Sequence, residues 1–507
     1  MNEHSLKFGP VQSKFTAYTG ELMAALLLFQ PLLDVLSFFM QDLGATAVTT
    51  ALRTVLLFVV SLYGFVVSDK KRTYVIFYSV IGGFWLLHML NCLRSGYLDP
   101  VADTAEYLKL VQFPLWTLTF ITLFRKEREL DYRIVGVLAA NFAIILLIIA
   151  ISFLIYPVYT YDYPDRGMQI GVLGWFGVPN AQSAILAMLV APLLLWAFRT
   201  RKLWVFSACA VLGLGLLFFT GTRLTYYAAI LISAAFVVLI FLNRQQYLFT
   251  LPLLVVLVLV VAFKGMSPMA QRENFRLESH SIYREKTETI MGEDKDFVYG
   301  EQELTEAVKA KITRVYEEVY GGIGVYGNPL LGDLLERFGT ETVMEAYHYT
   351  TDPDILYDAR VKKLKVVDLL WQEKDFLTKL TGFEYTEVYL GDNIYDPEND
   401  YPALLYYYGY LGTAAYLLFT AYFLWIALRA FLRNPRGALT MQLGCAAMMY
   451  AMALGSAQFS GQSLRKPSVS VYFSLAAAFL YMETHPEHEH RGKMFYERSS
   501  VVFRKEI

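Results

Sequence analysis

Apolar residues come along this chain in blocks of membrane-spanning length, separated by short polar breaks. A hydrocarbon core needs about 20 mostly apolar residues per helix. Segments near 18–40, 45–67, 74–93, 106–124, 133–156, 178–198, 203–220, 223–242, 247–264, 402–429, 438–458 and 467–482 qualify. One hydrophilic insert, 265–401, interrupts the series. Within it "EQELTEAVKAKITRVYEEVY" and "ARVKKLKVVDLLWQEKDFLTKL" carry apolar residues at helical spacing, and the glycine-rich "YGGIGVYGNP" separates the pieces. The pattern predicts an all-α polytopic integral membrane protein of about twelve transmembrane helices. Its expected parts are a membrane bundle over 1–264, a helical loop domain over 265–401, further membrane helices over 402–482 and a tail over 483–507.

Composition supports this reading, since 56 % of the 507 residues are hydrophobic and 18 % charged, too greasy for an ordinary set of soluble domains. The net charge of −2 argues against nucleic acid as a partner. The stretch before Tyr18 lacks a cleavable signal pattern, so the first helix is expected to stay in the mature protein. Lys and Arg concentrate in alternate connections, "SDKKRT", "RKEREL", "FRTRK", "NRQQ" and "RAFLRNPRG". Positive residues are retained on the cytoplasmic side, which puts both termini inside and the large insert outside. Cys92, Cys209 and Cys445 fall in or beside apolar segments without metal spacing and read as buried, inert thiols.

Charges that break the alternation are more informative. Arg94, Arg166, Arg223, Arg465 and Lys466 fall on the expected outer side. Arg223, in "FFTGTRLTYY", follows a turn too short for a solvated loop. It is either a snorkelling residue anchored to lipid or a phosphate clamp, the guanidinium fork matching phosphate oxygens. Asp34, inside "LLLFQPLLDVLSFF", is a costly charge in hydrocarbon and is expected to face the bundle interior. Asn180 and Gln182 open the sixth helix after Pro179, where they either cap it or line a polar cleft. "LGDNIYDPENDYPALLYYYGYLG" gathers Asp392, Asp396, Glu398 and Asp400 before the tenth helix. A helix dipole explains one carboxylate there but not several. Asp352 and Asp354 form a DxD spacing, read as a turn or helix start rather than a metal site.

Five stretches, in this order, resemble the O-antigen ligase and Wzy-type polymerase superfamily of membrane glycosyltransferases. They are "QPLLD", "GWFGVPNAQS", "TGTR", "ARVKKLKVVDLLWQEKDFLTKLTGF" and "ENDYPALLYYYGYLG". The resemblance implies a GT-C-like layout with the large outer loop after the ninth helix. It also implies a polyprenyl-pyrophosphate-linked oligosaccharide donor, with no cofactor and no metal. Arg223 matches the arginine of the family's small-residue turn, and Arg360 that of its loop helix; both would bind pyrophosphate. Where ligases usually offer His-Asn, this chain reads Glu398-Asn399-Asp400.

The chemistry needs cations to steady a departing pyrophosphate and a carboxylate to deprotonate a sugar hydroxyl. Glu398 is the expected base and Asp400 its orienting partner, an order that can be reversed. Arg166, Asn180, Gln182, Asp34 and Arg465 are candidates for the substrate cleft. The expected function is polymerisation of lipid-linked repeat units into a cell-surface polysaccharide, at the outer face of a bacterial cytoplasmic membrane. The alternatives are ligation of the glycan to a lipid or wall acceptor and a lipid-linked oligosaccharide flippase. Expected partners are the lipid-linked donor, a glycan acceptor and membrane lipids, with a flippase and a chain-length regulator as candidate protein partners.

Overall fold

A computed structural model describes residues 18–127, 130–324, 330–461 and 463–485, and in it all twelve apolar segments are helical. The first nine are α1 (Thr19–Asp42), α2 (Thr46–Val67), α3 (Lys71–Ser95), α4 (Pro100–Lys126), α5 (Leu130–Ile155), α6 (Pro179–Arg199), α7 (Leu203–Thr220), α8 (Arg223–Asn243) and α9 (Thr250–Ala262). The insert contributes α10 (Pro268–Met291), α11 (Glu306–Arg314), α12 (Gly332–Phe338), α13 (Thr340–Ala346), α14 (Pro353–Leu356), α15 (Ala359–Gln372) and α16 (Phe376–Thr381). The last apolar segments are α17 (Asp400–Arg433), α18 (Met441–Gly455) and α19 (Pro467–Thr484). Among the described residues, nine helices are long and apolar enough to cross a membrane. The chain is an all-α polytopic membrane protein. Residues 325–329 of the glycine-rich break and 486–507 of the tail lie outside the described residues.

The chain divides into two compact units. The first takes its residues from Met1–Gly82, Tyr107–Ala270 and Tyr416–Ile507, and the second from Gly83–Glu106 and Gln271–Ala415.

In the first unit α6 is the central post. Pro179 opens it at a position that needs no backbone donor, and its run of Ala, Leu, Val and Met from Ala181 to Leu195 is buried. Small residues let neighbours approach, and α5, α7 and α18 pack on it. Outward faces of α2, α7 and α9 leave Leu62, Val211, Val258 and their neighbours exposed, as hydrocarbon-facing side chains should be. Within the bundle the Thr117 and Thr119 hydroxyls donate to carbonyls one turn back, and Asn141 donates across helices to the Tyr472 hydroxyl. A two-stranded hairpin, β1 (Tyr161–Tyr163) with β2 (Met168–Ile170), follows α5. Both flanks of the hairpin dock on the end of α7, the Thr160 hydroxyl donating to the Thr220 carbonyl and the Val172 amide to that of Phe219.

The second unit is built on buried tyrosines. Tyr283 stacks on Tyr320 with centroids 5.6 Å apart and meets Tyr357 at 4.9 Å. The helices begin at side-chain caps: Thr305 accepts from the Val308 amide, Asp358 from those of Arg360 and Val361, and Asp375 from that of Thr378. Gly382 stops α16 at φ 91°, ψ 166°, a backbone conformation open essentially to glycine. A short hairpin, β3 (Tyr389–Leu390) with β4 (Asn393–Ile394), leads into α17. Asn393 and Tyr395 both donate to Asp333, which fixes the hairpin against α12.

The "YGYLG" spacing is explained within this unit. Gly409 interrupts α17 at φ 61°, ψ −168°, a conformation open essentially to glycine, and a Cβ there would sit 2.5 Å from the Leu380 carbonyl. We expect Gly409→Ala to destabilise the second unit by at least about 2 kcal/mol, strain and overpacking adding. Proteolysis of the loop should then begin at lower temperature than in wild type. An unchanged profile would mean that α17 straightens without cost.

Candidate active site

In the second unit Asp358 caps α15 and thereby fixes its first turn, so Arg360 and Lys363, three residues apart, share a face. Both reach the same carboxylate. Arg360 Nε donates to Glu398 Oε2 at 2.8 Å and Lys363 Nζ to Oε1 at 3.2 Å. The chain just before Glu398 is anchored, Pro397 being buried and the Tyr395 amide donating to the Val388 carbonyl. The carboxylate is 21 % exposed and the guanidinium 38 %, so the pair is open to an arriving ligand. Asp400 is fully buried in the first turn of α17, and beside it the Asn399 Oδ1 is buried with no hydrogen-bond partner. Of the other acids in this stretch, Asp396 accepts from the Tyr407 hydroxyl at 2.8 Å and Asp392 is exposed at the hairpin turn.

In the first unit Asp34 pairs with Arg53, Arg53 Nη2 donating to Oδ1 at 2.7 Å, and the pair lines a cavity of about 150 Å³. Gln182, Gln41, Lys109 and Lys466 line it too, whereas Arg166, Asn180, Arg223 and Arg465 do not. Arg166 is exposed near the turn between β1 and β2, and Asn180 is half-buried at the start of α6. Arg465 is buried next to Lys466. Arg223, exposed, opens α8 one residue after Thr222, whose hydroxyl donates to Ser183 beside Gln182. Arg223 and the cavity therefore occur at the same end of this unit.

Three residues escaped the sequence reading. Lys363 was visible as the i+3 neighbour of Arg360. Arg53 was visible as an arginine inside an apolar helix, which demands a partner. Lys109 stands among apolar residues of α4 with no motif to mark it.

His88, Cys92 and Asp103 offer one ligand atom each within 4.8 Å of one another, all buried in the second unit. Their bonds describe a staple instead. Asp103 accepts from the Tyr97 hydroxyl at 2.5 Å and the Tyr385 amide at 2.9 Å and contacts His88 Nε2 at 3.0 Å, while His88 Nδ1 meets the Thr381 carbonyl. The DxD residues are likewise engaged: Asp352 caps α14 and Asp354 pairs with His280 and Arg284. His280 holds the Asp354 carboxyl below its usual range. Cys92 and Cys445 are buried; Cys209 is only half-buried, a departure from the expectation of three buried thiols that follows from its place on the outward side of α7.

The cation cluster on α15 has a measurable signature. Burial, with Lys363 adding to it, pulls the Lys362 ammonium down to about 8 from the usual 10.5, while it donates to the Leu330 carbonyl. Between those two values the unfolded chain binds more protons than the folded one, so stability should rise with pH across the window and be lowest below it. We expect Lys362→Met to flatten that rise in a thermal melt and to stabilise neutral samples by on the order of 2–3 kcal/mol. An equally steep pH dependence in the variant would remove Lys362 as its source.

A family model described as "O-antigen ligase like membrane protein" matches residues 16–487. No curated protein matches the chain.

Proposed function

The chain belongs to the O-antigen ligase-like membrane proteins, a family of membrane glycan-processing enzymes, and from that membership we propose that it polymerises polyprenyl-pyrophosphate-linked repeat units. The observation that carries the reading is one carboxylate, Glu398, between two cations on a single helix face. Arg360 and Lys363 take the oxygens of the departing pyrophosphate, and in doing so leave Glu398 to accept the proton of the attacking sugar hydroxyl. That hydroxyl oxygen bonds to the anomeric carbon as the carbon–oxygen bond to pyrophosphate breaks, which inverts the centre. The lipid pyrophosphate leaves with the electron pair, its charge held by the cations. Asp400 orients the segment that carries Glu398. For Arg223 the proposal of a pyrophosphate contact rests on the family's small-residue–Arg turn.

The reaction is placed at the outer face of the cytoplasmic membrane, with both termini inside, on the strength of the Lys and Arg alternation. Transfer to a lipid or wall acceptor is the second reading, favoured by the matching family's own description. Purified protein in nanodiscs, given the lipid-linked oligosaccharide alone, should produce a ladder of longer products. A ladder that needs added acceptor lipid would select the ligase, and movement of intact lipid without new linkages would select a flippase.

Arginine's fork, not its charge alone, suits a phosphate. Arg360→Lys and Arg223→Lys should each lower turnover about tenfold or more, the loss of one charge-assisted bond. Wild-type rates in either variant would strike that residue from the donor site.

A further inference from the structure

The short helix α16 is inside out. Its polar residues Thr378 and Thr381 are buried, while Phe376 and Leu377 are 75 % and 44 % exposed. Water disfavours that pattern and an apolar medium favours it. The neighbouring element in this unit, the second half of α3, shows which medium is near. Leu86, Leu90 and Leu93 fall on one face of α3 and stand exposed, as the hydrocarbon-facing stripe of a membrane helix should, whereas His88, Asn91 and Cys92 are buried. The 25 residues of α3 measure about 37 Å at 1.5 Å each, against a hydrocarbon core of about 30 Å. Its last turn, with Arg94, therefore comes out among the headgroups, and Tyr97 follows; arginine and tyrosine are residue types that collect at this level.

Side chains hold α16 to that level. Arg94 Nη2 donates to Asp375 Oδ2 at 2.5 Å, Asn91 Nδ2 donates to the Thr378 hydroxyl at 3.2 Å, and His88 Nδ1 meets the Thr381 carbonyl at 2.9 Å. Beyond Arg94, the buried Glu384 carboxylate accepts from the amides of Leu98 and Asp99 at 2.6 and 3.2 Å. The connection so fixed presents Leu98 and, in the first turn of α4, Val101, 70 % and 79 % exposed. Single exposed apolar side chains are ordinary; four from two bonded elements, at the end of a lipid-facing stripe, mark a surface with a partner.

We propose that Leu98, Val101, Phe376 and Leu377 form an anchor that dips into the bilayer surface where α3 leaves the hydrocarbon. The partner is lipid, because the patch continues the stripe of α3 and adjoins the headgroup-level Arg94. The anchor also reaches the helix that follows Glu398, since the Phe383 amide donates to the Tyr406 carbonyl of α17. None of its four residues belongs to the Arg360–Glu398 pair, so it is inferred independently of the transfer reaction.

Depth measured by spin label tests this. Full-length protein in nanodiscs, with Cys209→Ala to remove the half-buried thiol, takes one nitroxide per sample, at Phe376→Cys or at Leu98→Cys. Leu90→Cys serves as the hydrocarbon reference and Glu303→Cys, exposed in the insert, as the aqueous one. All four positions are exposed, so labelling leaves the packing intact, and Leu377→Cys and Val101→Cys repeat the measurement at neighbouring sites. Collision with oxygen against a water-soluble nickel chelate should place the labels at Phe376 and Leu98 about 5–10 Å below the phosphates, the depth of an interfacial apolar face. Nickel accessibility equal to that of Glu303→Cys at either position overturns the proposal. Labels shielded from oxygen and nickel alike, with dimers in native mass spectrometry, overturn it too and make the patch an interface between two copies of the chain.

Discussion

Glu398→Gln should lose about 10²- to 10⁴-fold in the rate of chain elongation while keeping the wild-type melting curve. The first half follows from chemistry. A sugar hydroxyl is a poor nucleophile until its proton is taken, and an amide cannot take it. The second half follows from exposure. Arg360 and Glu398 are 38 % and 21 % exposed, a setting in which ion pairs add at most about 1 kcal/mol to stability, so water replaces what the amide cannot offer. The substitution also turns one acceptor oxygen into a donor facing Arg360 or Lys363, which loosens the two cations without unfolding α15. Glu398→Asp retains the acid but shortens its reach, and belongs between wild type and the amide. Retention of more than about a tenth of the wild-type rate by Glu398→Gln would leave general-base catalysis without a role for this residue and would turn attention to Asp400.

Much of this arrangement was legible because membrane insertion simplifies the code. Hydrocarbon leaves backbone groups no partner but their own helix, so twelve apolar runs became twelve helices, with ends within a few residues of expectation for most. The helices of the insert were equally plain, since Asp358 and Asp375 cap them and Gly382 ends one. Less legible were contacts made by single side chains over long separations. Glu398 and Arg360 each stand out in the sequence, yet that Lys363 joins them depends on the register of α15 and on the hairpin that Asp333 pins in place. Arg166, placed in a cleft by its charge, is carried out to an exposed hairpin by two three-residue strands too short to show a period. Arg53 is different, because its signal was present. Asp34 precedes the turn at Leu43 by nine residues and Arg53 follows that at Ala45 by eight, so antiparallel α1 and α2 must bring the two isolated charges to one depth.

That pairing sets the largest stability effect expected in the membrane unit. Arg53→Met leaves Asp34, whose side chain is 16 % exposed, as a carboxylate within a membrane helix and without its cation. Removing one partner of a buried pair costs about 3–5 kcal/mol, because the survivor keeps its desolvation penalty and loses its compensation. Asp34→Asn should cost less, since the amide oxygen still accepts from Arg53 Nη2 and Ser468 remains near. The double variant Asp34→Leu with Arg53→Met removes both charges and should recover most of the loss, as buried pairs replaced by apolar groups of similar volume commonly do. Thermal unfolding of these variants, wild type and the single Asp34→Leu in one detergent supplies the cycle. Similar midpoints for Arg53→Met and wild type would mean that water in the cavity solvates Asp34 well enough to stand in for the guanidinium. A double variant as unstable as Arg53→Met would instead mean that the polar walls themselves, Gln41, Thr49 and Gln182 among them, require a charged pair at their centre.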